Sequence, residues 1–432
     1  NRMIPAIEKA SVEEIYAFQS EKLKELLAYL NQNSPFYKRL FSHHSIDINA
    51  IQALEDLQQI PVTTKTDLQE FNDDFFCVTR DKIIDYVTTS GTLGSPVTIG
   101  LTDNDLERLA YNEAISFQCA GIQKGDVVQL MTTMDRRFMA GLAYFLGLRK
   151  LGAGVIRVGS GIPELQWDSI LKYKPAYLIS VPSFLLKLIE YAENHQIDYK
   201  SSSVKGVICI GEALRDQDFN PTLLSDKITQ KWPIQLFSSY ASTEMSTAFT
   251  ECENFIGGHH HPELIIVEVL DDENEPVQQG ETGELVITTL GVEAMPLLRF
   301  KTGDIVQLHT DACQCGRNSL RLGPVVGRKQ HMIKYKGTTL YPPAMHDLLT
   351  SFEEVENHVI EIFTNDLGTD EILIKIVTTN NSEAFIHEVK NHFKAKLRVT
   401  PKLEVVTKED LLPIIFSPEN RKPTTLIDKR TN

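Results

Sequence analysis

The sequence predicts an α/β protein: a large N-terminal body of parallel-sheet α/β layers, a β-rich subdomain, and a small α+β C-terminal lid. Three observations carry this. Between Ile83 and about Ser238, short apolar runs alternate with amphipathic stretches, the pattern of crossover units on a largely parallel sheet. Between Thr247 and Leu308 the pattern turns β-rich and is broken by the acidic, turn-forming run Asp271-Asp272-Glu273-Asn274-Glu275-Pro276. After Gly327 a last stretch, of a size that suits one small domain, carries a few strand patterns and two helix patterns. The predicted boundaries are 1–326 for the body, with the β-rich part at about 247–326, and 327–432 for the lid.

The elements follow in order. Ile15, Phe18, Leu23, Leu26, Leu27 and Leu30 recur at helical spacing within Val12 to Asn31, and the run stops at Asn33-Ser34-Pro35. A polar loop region is expected from there to about residue 80, punctuated by Pro61. Val127–Met131, Val155–Val158, Tyr177–Val181, Val207–Ile210 and Ile234–Phe237 read as buried strands. Helical patterns lie between them at Phe138–Leu151 and Ser183–Asn194, the latter behind Pro182. Leu264–Leu270 and Glu284–Thr289 read as antiparallel strands of a small barrel. In the lid, Val359–Phe363, Glu371–Val377 and Leu403–Val406 read as strands, and Glu383–Leu397 as a helix.

Composition narrows the function. The 432 residues are 42% hydrophobic, ample for packed cores, and carry 43 basic against 58 acidic side chains, a net charge of −15. Such a chain repels a phosphate backbone, which argues against nucleic-acid binding. The best apolar run, Met139 to Leu148, meets Arg149 and Lys150 well short of the ~20 residues a membrane span needs. Asn1 to Lys9 shows no apolar leader, and six sparse cysteines fit reduced thiols, so a cytoplasmic location is expected.

Four motifs carry chemistry. Thr88-Thr89-Ser90-Gly91-Thr92-Leu93-Gly94-Ser95-Pro96 is a hydroxyl-rich, glycine-punctuated loop whose N–H and O–H donors suit phosphate oxygens. It lacks the Gly-Lys-Ser/Thr ending of a P-loop. Phe237-Ser238-Ser239-Tyr240-Ala241-Ser242-Thr243-Glu244 places a ring, hydroxyls and a carboxylate at a strand end, a set that can stack a base and hold magnesium. Leu298-Arg299-Phe300-Lys301-Thr302-Gly303-Asp304 presents a carboxylate at a tight turn, suited to a ribose diol. Gly327-Arg328-Lys329-Gln330-His331-Met332-Ile333-Lys334 is a basic stretch at the predicted boundary. Taken singly, a surface hairpin accounts for the first and solvated turns for the others.

In this order and spacing the four motifs resemble the adenylate-forming acyl-CoA ligase superfamily. Ser34-Pro35-Phe36-Tyr37, Ile60-Pro61-Val62-Thr63-Thr64-Lys65-Thr66-Asp67-Leu68 and Ala294-Met295-Pro296-Leu297-Leu298-Arg299 resemble its phenylacetate–CoA ligase branch, and the likeness spans about residues 12 to 430. The resemblance implies a carboxylic acid, aromatic in this branch, attacking the α-phosphate of ATP. Pyrophosphate leaves, and coenzyme A then takes the acyl group as a thioester with release of AMP. It implies Ser90, Gly91, Thr92 and Gly94 in the phosphate-gripping loop, with Ser95 where a lysine is usual. Tyr240 would stack on adenine beside Ala241 and Ser242, with Gly211, Glu212 and Ala213 flanking the base; Thr243 would meet the α-phosphate and Glu244 bind Mg2+. Asp304 and Arg328 would hold the ribose.

Asn420-Arg421-Lys422-Pro423-Thr424-Thr425-Leu426-Ile427-Asp428 resembles the closing motif, making Lys422 the cation for adenylation; Arg421 replaces a usual glycine. The lid would be mobile, rotating about a hinge at Gln330 and His331, where the family carries acidic residues. Asp135-Arg136-Arg137-Phe138 stands where the branch lines its acid pocket; Phe138 survives, and the three charged residues either tune the pocket toward a more polar or longer acid or face solvent. A homodimer also fits the branch.

Cys313-Gln314-Cys315-Gly316 is a tight cysteine pair on a turn, able to grip a metal from one side, with Cys252 and His259-His260-His261 upstream. The resemblance selects His259, implying a structural Zn2+ held by Cys252, His259, Cys313 and Cys315; the residues alone leave the choice of histidine open, and reduced cysteines without metal are the alternative. Two other functions share the motifs. One is an adenylyltransferase of the deazaflavin-cofactor type, the other a nucleotide-binding protein of this fold without turnover.

Overall fold

The computed structural model describes residues 4–89, 96–417 and 423–430. Ser90, Gly91, Thr92, Gly94, Ser95, Arg421 and Lys422 lie outside the described residues. The chain forms two compact units. One comprises Asn1–Asn220, Lys227–Thr302 and Val306–Pro324; the other comprises Pro221–Asp226, Gly303–Ile305 and Val325–Asn432.

The first unit opens with α1 (Ala6–Lys9), α2 (Val12–Asn33), α3 (Pro35–His43) and α4 (Lys65–Glu70). The expected polar loop to residue 80 is therefore corrected. Ser34-Pro35 ends α2 but also starts α3: the Ser34 hydroxyl accepts the Tyr37 amide and Pro35 occupies the first helical turn. Phe36, Tyr37 and Phe41 are then buried. Strands β1 (Ile83–Thr88) and β2 (Thr98–Thr102) pair antiparallel and lead into α5 (Asp103–Cys119), capped reciprocally by Thr102 and Asp105. The apolar pattern did not reveal α5, because its buried face includes Asp105, Asn112, Glu113 and Ser116.

Crossover units follow: β3 (Val127–Leu130), α6 (Met139–Leu151), β4 (Gly154–Arg157), α7 (Pro163–Tyr173), β5 (Tyr177–Ser180), α8 (Pro182–Asn194), β6 (Gly206–Cys209), α9 (Leu223–Lys231) and β7 (Gln235–Ser242). The strands pair in parallel in the order β4-β3-β5-β6-β7, as the alternating pattern predicted. Val128, Leu130, Ile179, Ile208 and Phe237 from the sheet pack with Phe117 of α5 and Tyr144 and Leu148 of α6. Gly152 closes α6 at φ 86°, a left-handed residue that favours glycine.

Beyond β7 come β8 (Thr247–Thr250), β9 (Gly258–His259), β10 (Ile265–Leu270), β11 (Thr282–Thr289), β12 (Phe300–His309) and β13 (Arg321–Leu322). The small barrel is also corrected: these strands continue the same sheet in the order β10-β11-β12-β13-β9-β8-β7. The reason lies in β7, which is eight residues long. Gln235–Ser238 pairs in parallel with β6, and Ser239–Ser242 pairs antiparallel with β8.

In the second unit, β14 (Gly327–Arg328) pairs with Asp304 and Ile305 of β12. A hairpin of β15 (Ile333–Tyr335) and β16 (Thr338–Leu340) precedes α10 (Pro342–Thr350), β17 (Val355–Thr364), β18 (Asp370–Thr378), α11 (Glu383–Leu397), β19 (Lys402–Val405), α12 (Lys408–Ile415) and β20 (Leu426–Asp428). The four-stranded sheet runs β19-β18-β17-β20. Ile360, Ile362, Ile374 and Ile376 pack against Phe385, Val389 and Phe393 of α11.

Where α5 meets α6, a Cβ at Gly147 would lie 2.3 Å from the Glu113 Cβ, so the contact requires glycine. Burial pushes the Glu113 carboxyl from its ordinary 4.5 up to about 8. Between those values the native state holds a proton that the unfolded chain has released, so this group lowers stability as pH rises through the window. Glu113→Gln should flatten the fall in denaturant-measured stability from about pH 5 to about pH 8. An unchanged pH slope would contradict this.

Candidate active site

The site is built on the turn between β7 and β8. Ser242 pairs with Thr247 in the ladder, leaving Thr243, Glu244, Met245 and Ser246 as the loop. The Ser242 hydroxyl accepts the Met245 amide at 3.3 Å, and the Met245 side chain is fully buried, which anchors the loop. Ser246 takes a left-handed φ of 48°. Thr243 and Glu244 are thereby held half-buried at the hairpin end, three and four residues beyond the half-buried Tyr240. Tyr240 stands opposite Phe249 in the register, their ring centroids 6.2 Å apart.

Arg108 supports this hairpin, and the sequence pattern did not disclose it. From α5 its guanidinium donates to Ser246 O (2.7 Å), Leu264 O (2.6 Å), Leu290 O (2.7 Å) and Thr247 Oγ1 (3.1 Å). Burial lowers it to about 10, opposed by the nearby Asp105, so it remains a cation at neutral pH. Asp105 in turn accepts the Glu293 and Ala294 amides at 2.7 and 3.0 Å. Gly100, Leu101, Asp105, Arg108, Glu244 and Met295 line a small cavity under the hairpin. Nothing marks Arg108 in the sequence, because an arginine on an amphipathic helix ordinarily reads as surface.

A buried ion pair fixes the start of the motif. Glu251 accepts the Ser238 amide at 2.8 Å and Arg215 Nε at 2.9 Å, and Arg215 lies over the Phe255 ring. Burial raises the Glu251 carboxyl, which Arg215 opposes. Arg215 follows the Gly211–Ala213 loop, in which Gly211 adopts φ +81°. Glu212 is committed to α8: its carboxylate accepts the Ser183 hydroxyl at 2.6 Å and the Ser183 amide at 3.1 Å. Gly211 and Ala213 are exposed.

Residues 90–95, expected to grip phosphate, lie outside the described residues, but both flanks are fixed. The Thr88 amide donates to Arg137 O, and the Thr89 amide to Val97 O, each at 3.0 Å. Asp135, Arg136 and Arg137 are exposed, the last two with φ of 57° and 58°, so of the two readings the solvent-facing one fits. Phe138 is half-buried at the start of α6. In the other unit the β12–β14 register sets Asp304 against Arg328, with Nε 3.7 Å from Oδ1. Gln330 and His331 sit in a short 3-10 turn, Lys329–His331, with the Gln330 carbonyl accepting Arg430 Nη2 at 3.0 Å.

The cysteines converge. One ligand atom each from Cys252, His259, Cys313 and Cys315 lies within 4.8 Å of all the others. Cys252 Sγ is 3.7 Å from Cys313 Sγ, and Cys315 Sγ is 3.6 Å from His259 Nε2. A tetrahedral zinc with Zn–S of ~2.3 Å and Zn–N of ~2.0–2.1 Å has edges of about 3.8 and 3.6 Å, so the donors fit that ion. His260 and His261 are engaged elsewhere, by Ile265 O and by Glu8. Asn254 Nδ2 donates to Cys252 Sγ (3.6 Å) and Cys313 Sγ (3.3 Å). The Cys315 thiol is held far below its usual range, chiefly by the Cys252 hydrogen bond and further by His259 and Arg317.

Residues 37–294 match the model of the AMP-binding enzyme family. The phenylacetate–coenzyme A ligase of Thermus thermophilus is 31% identical over 390 residues, covering 89% of this chain and 85% of its own. That of Escherichia coli is 28% identical over 408 residues, covering 92% and 90%. Among solved structures, a 2-hydroxyisobutyryl-CoA ligase in the postadenylation state aligns at TM-score 0.85 and 24% identity, covering 99% of this chain and 94% of its own. The O-succinylbenzoate coenzyme A synthetase of Bacillus subtilis aligns at 0.58 and 18%, covering 76% and 66%. The chain belongs to the AMP-binding enzyme family, in its phenylacetate–CoA ligase branch. No helix among the described residues is long and apolar enough to cross a membrane.

Proposed function

We propose that the chain is an ATP-dependent, AMP-forming acid–coenzyme A ligase whose acid is aromatic. The single observation that carries the reading is the β7–β8 hairpin, which presents a ring, a hydroxyl and a carboxylate in fixed register within an AMP-binding fold. Adenylation brings a carboxylate to a polyanion, so preorganised donors must offset the developing charge. Thr243 donates to the α-phosphate, and Tyr240 stacks on the adenine. Glu244 is the carboxylate for Mg2+, a hard cation that takes oxygen ligands. Asp304 and Arg328, already paired, hold the ribose hydroxyls. Ser90, Gly91, Thr92 and Gly94 grip the departing phosphates, and Lys422 neutralises the attacking carboxylate. The domain of Lys422 is a lid that rotates between the half-reactions. The curated relatives named as coenzyme A ligases do not favour a deazaflavin-type adenylyltransferase.

Cys252, His259, Cys313 and Cys315 hold a structural zinc. Four protein ligands leave no position for water or substrate, so the ion's part is to tie strands together. His259 lies on β9, paired with Thr250 of β8, and Cys252 follows β8 directly. The metal thus secures the far end of the strand whose near end carries the hairpin.

Pyrophosphate release across a panel of carboxylic acids, with and without coenzyme A, tests the reaction. Arylacetic acids should give a stoichiometric burst without the thiol and turnover with it, and Glu244→Gln should lower turnover by ~10²–10³. Turnover that ignores coenzyme A would refute the ligase reading. For the metal, protein purified without an affinity tag should carry one zinc per chain, lost together with stability in the Cys313→Ser/Cys315→Ser double variant. Zinc-free wild-type protein of equal stability would refute the metal reading.

A further inference from the structure

We propose that Glu8 and Arg317 clamp helix α1 onto the cysteine–histidine centre, so that metal retention and docking of α1 depend on each other. The proposal rests on the zinc reading above and extends it to residues that bind no metal. Arg317 Nη1 donates to Cys315 Sγ at 3.3 Å, while its Nε donates to Glu8 Oε2 at 3.0 Å. One guanidinium therefore bridges a metal ligand and a carboxylate on α1, a task its planar fork suits and a lysine ammonium does not. Both side chains are buried, Arg317 and Glu8 each 1% exposed. The other Glu8 oxygen accepts His261 Nδ1, whose Nε2 lies 3.0 Å from Ser116 Oγ.

The backbone repeats the link. The Asn318 amide donates to Glu8 O at 2.7 Å, and Asn318 Nδ2 donates to Lys9 O (2.9 Å) and Ala10 O (3.1 Å). Helix α1 is a single turn of four residues, far too short to persist alone. The loop after Cys315 supplies most of its hydrogen bonds, with His261 adding one, and what would hold that loop is the ion.

Two consequences follow from linkage. Arg317 offsets the charge of a centre whose three thiolates outweigh the cation, and Glu8 keeps Arg317 aimed at it. Removing either should loosen the ion. Conversely, stripping the ion should free residues 8–10, because a coupling free energy acts in both directions.

The test is zinc release from the zinc-loaded protein to a chromogenic chelator. Glu8→Gln and Arg317→Met should release zinc ~10–100-fold faster than wild type. The exposed control Glu13→Gln should match wild type. A merely structural role would lower the melting temperatures of zinc-loaded and zinc-stripped protein equally, whereas a clamp narrows the gap between them. In case a variant does not fold, hydrogen exchange on wild type supplies the reciprocal arm: removing zinc should speed exchange at the Glu8, Ala10 and Asn318 amides. Release within twofold of wild type by variants that still carry one zinc overturns the clamp alone, as does unchanged exchange on stripping. Wild-type protein that binds no zinc overturns both the metal reading and the clamp.

Discussion

A strand that changes partners midway imposes an unusual demand, since its two halves must satisfy ladders of different geometry. In β7 that change falls between Ser238 and Ser239, and the residues proposed to bind the nucleotide occupy the second half and the turn beyond it. Parallel and antiparallel ladders space their hydrogen bonds differently. Glu251 accepts the Ser238 amide at the junction, where regular pairing hands over from one ladder to the other. The Tyr240, Thr243 and Glu244 side chains inherit their positions from that junction. A register shift of one residue would turn Tyr240 to the opposite face.

Buried ions recur wherever this arrangement is held. Arg108 under the hairpin, the Arg215–Glu251 pair at the junction and the Arg317–Glu8 pair by the cysteines are each well bonded. Buried charge is weak evidence for stability, since apolar replacements of equal volume often do as well. Its use here is directional. A guanidinium that donates to three carbonyls fixes a loop in one conformation, which packing alone does not. Such preorganisation is what stabilisation of a charged transition state requires.

Much of this was legible in the chain, and the gaps have physical causes. The central parallel strands were plain because a strand buried on both faces needs a short apolar run, as at Val207–Ile210; β4, also read as buried, is a partly exposed edge strand. Helix α2 was plain too, but the helices after it were not, since Ser34-Pro35 signals both an end and a start. The barrel was misjudged because antiparallel strands look alike whether they close on themselves or extend a neighbouring sheet, and the pattern showed only Ile234–Phe237 of β7, not its antiparallel half. Cys313 and Cys315 announced themselves by spacing, whereas Glu8 and Arg317 lie 309 residues apart and carry no local signal. Arg108 was hidden for the same reason: long-range polar contacts leave no periodicity.

The central claim is that the β7–β8 hairpin receives the adenylate. A crystal structure of the protein with a phenylacetyl-sulfamoyl adenosine, an uncleavable mimic of the acyl-adenylate, tests it most directly. The account predicts the adenine stacked on Tyr240 and the sulfamoyl group within hydrogen-bonding reach of the Thr243 hydroxyl. An analogue seated away from that hairpin, with Tyr240 and Thr243 untouched, would contradict it.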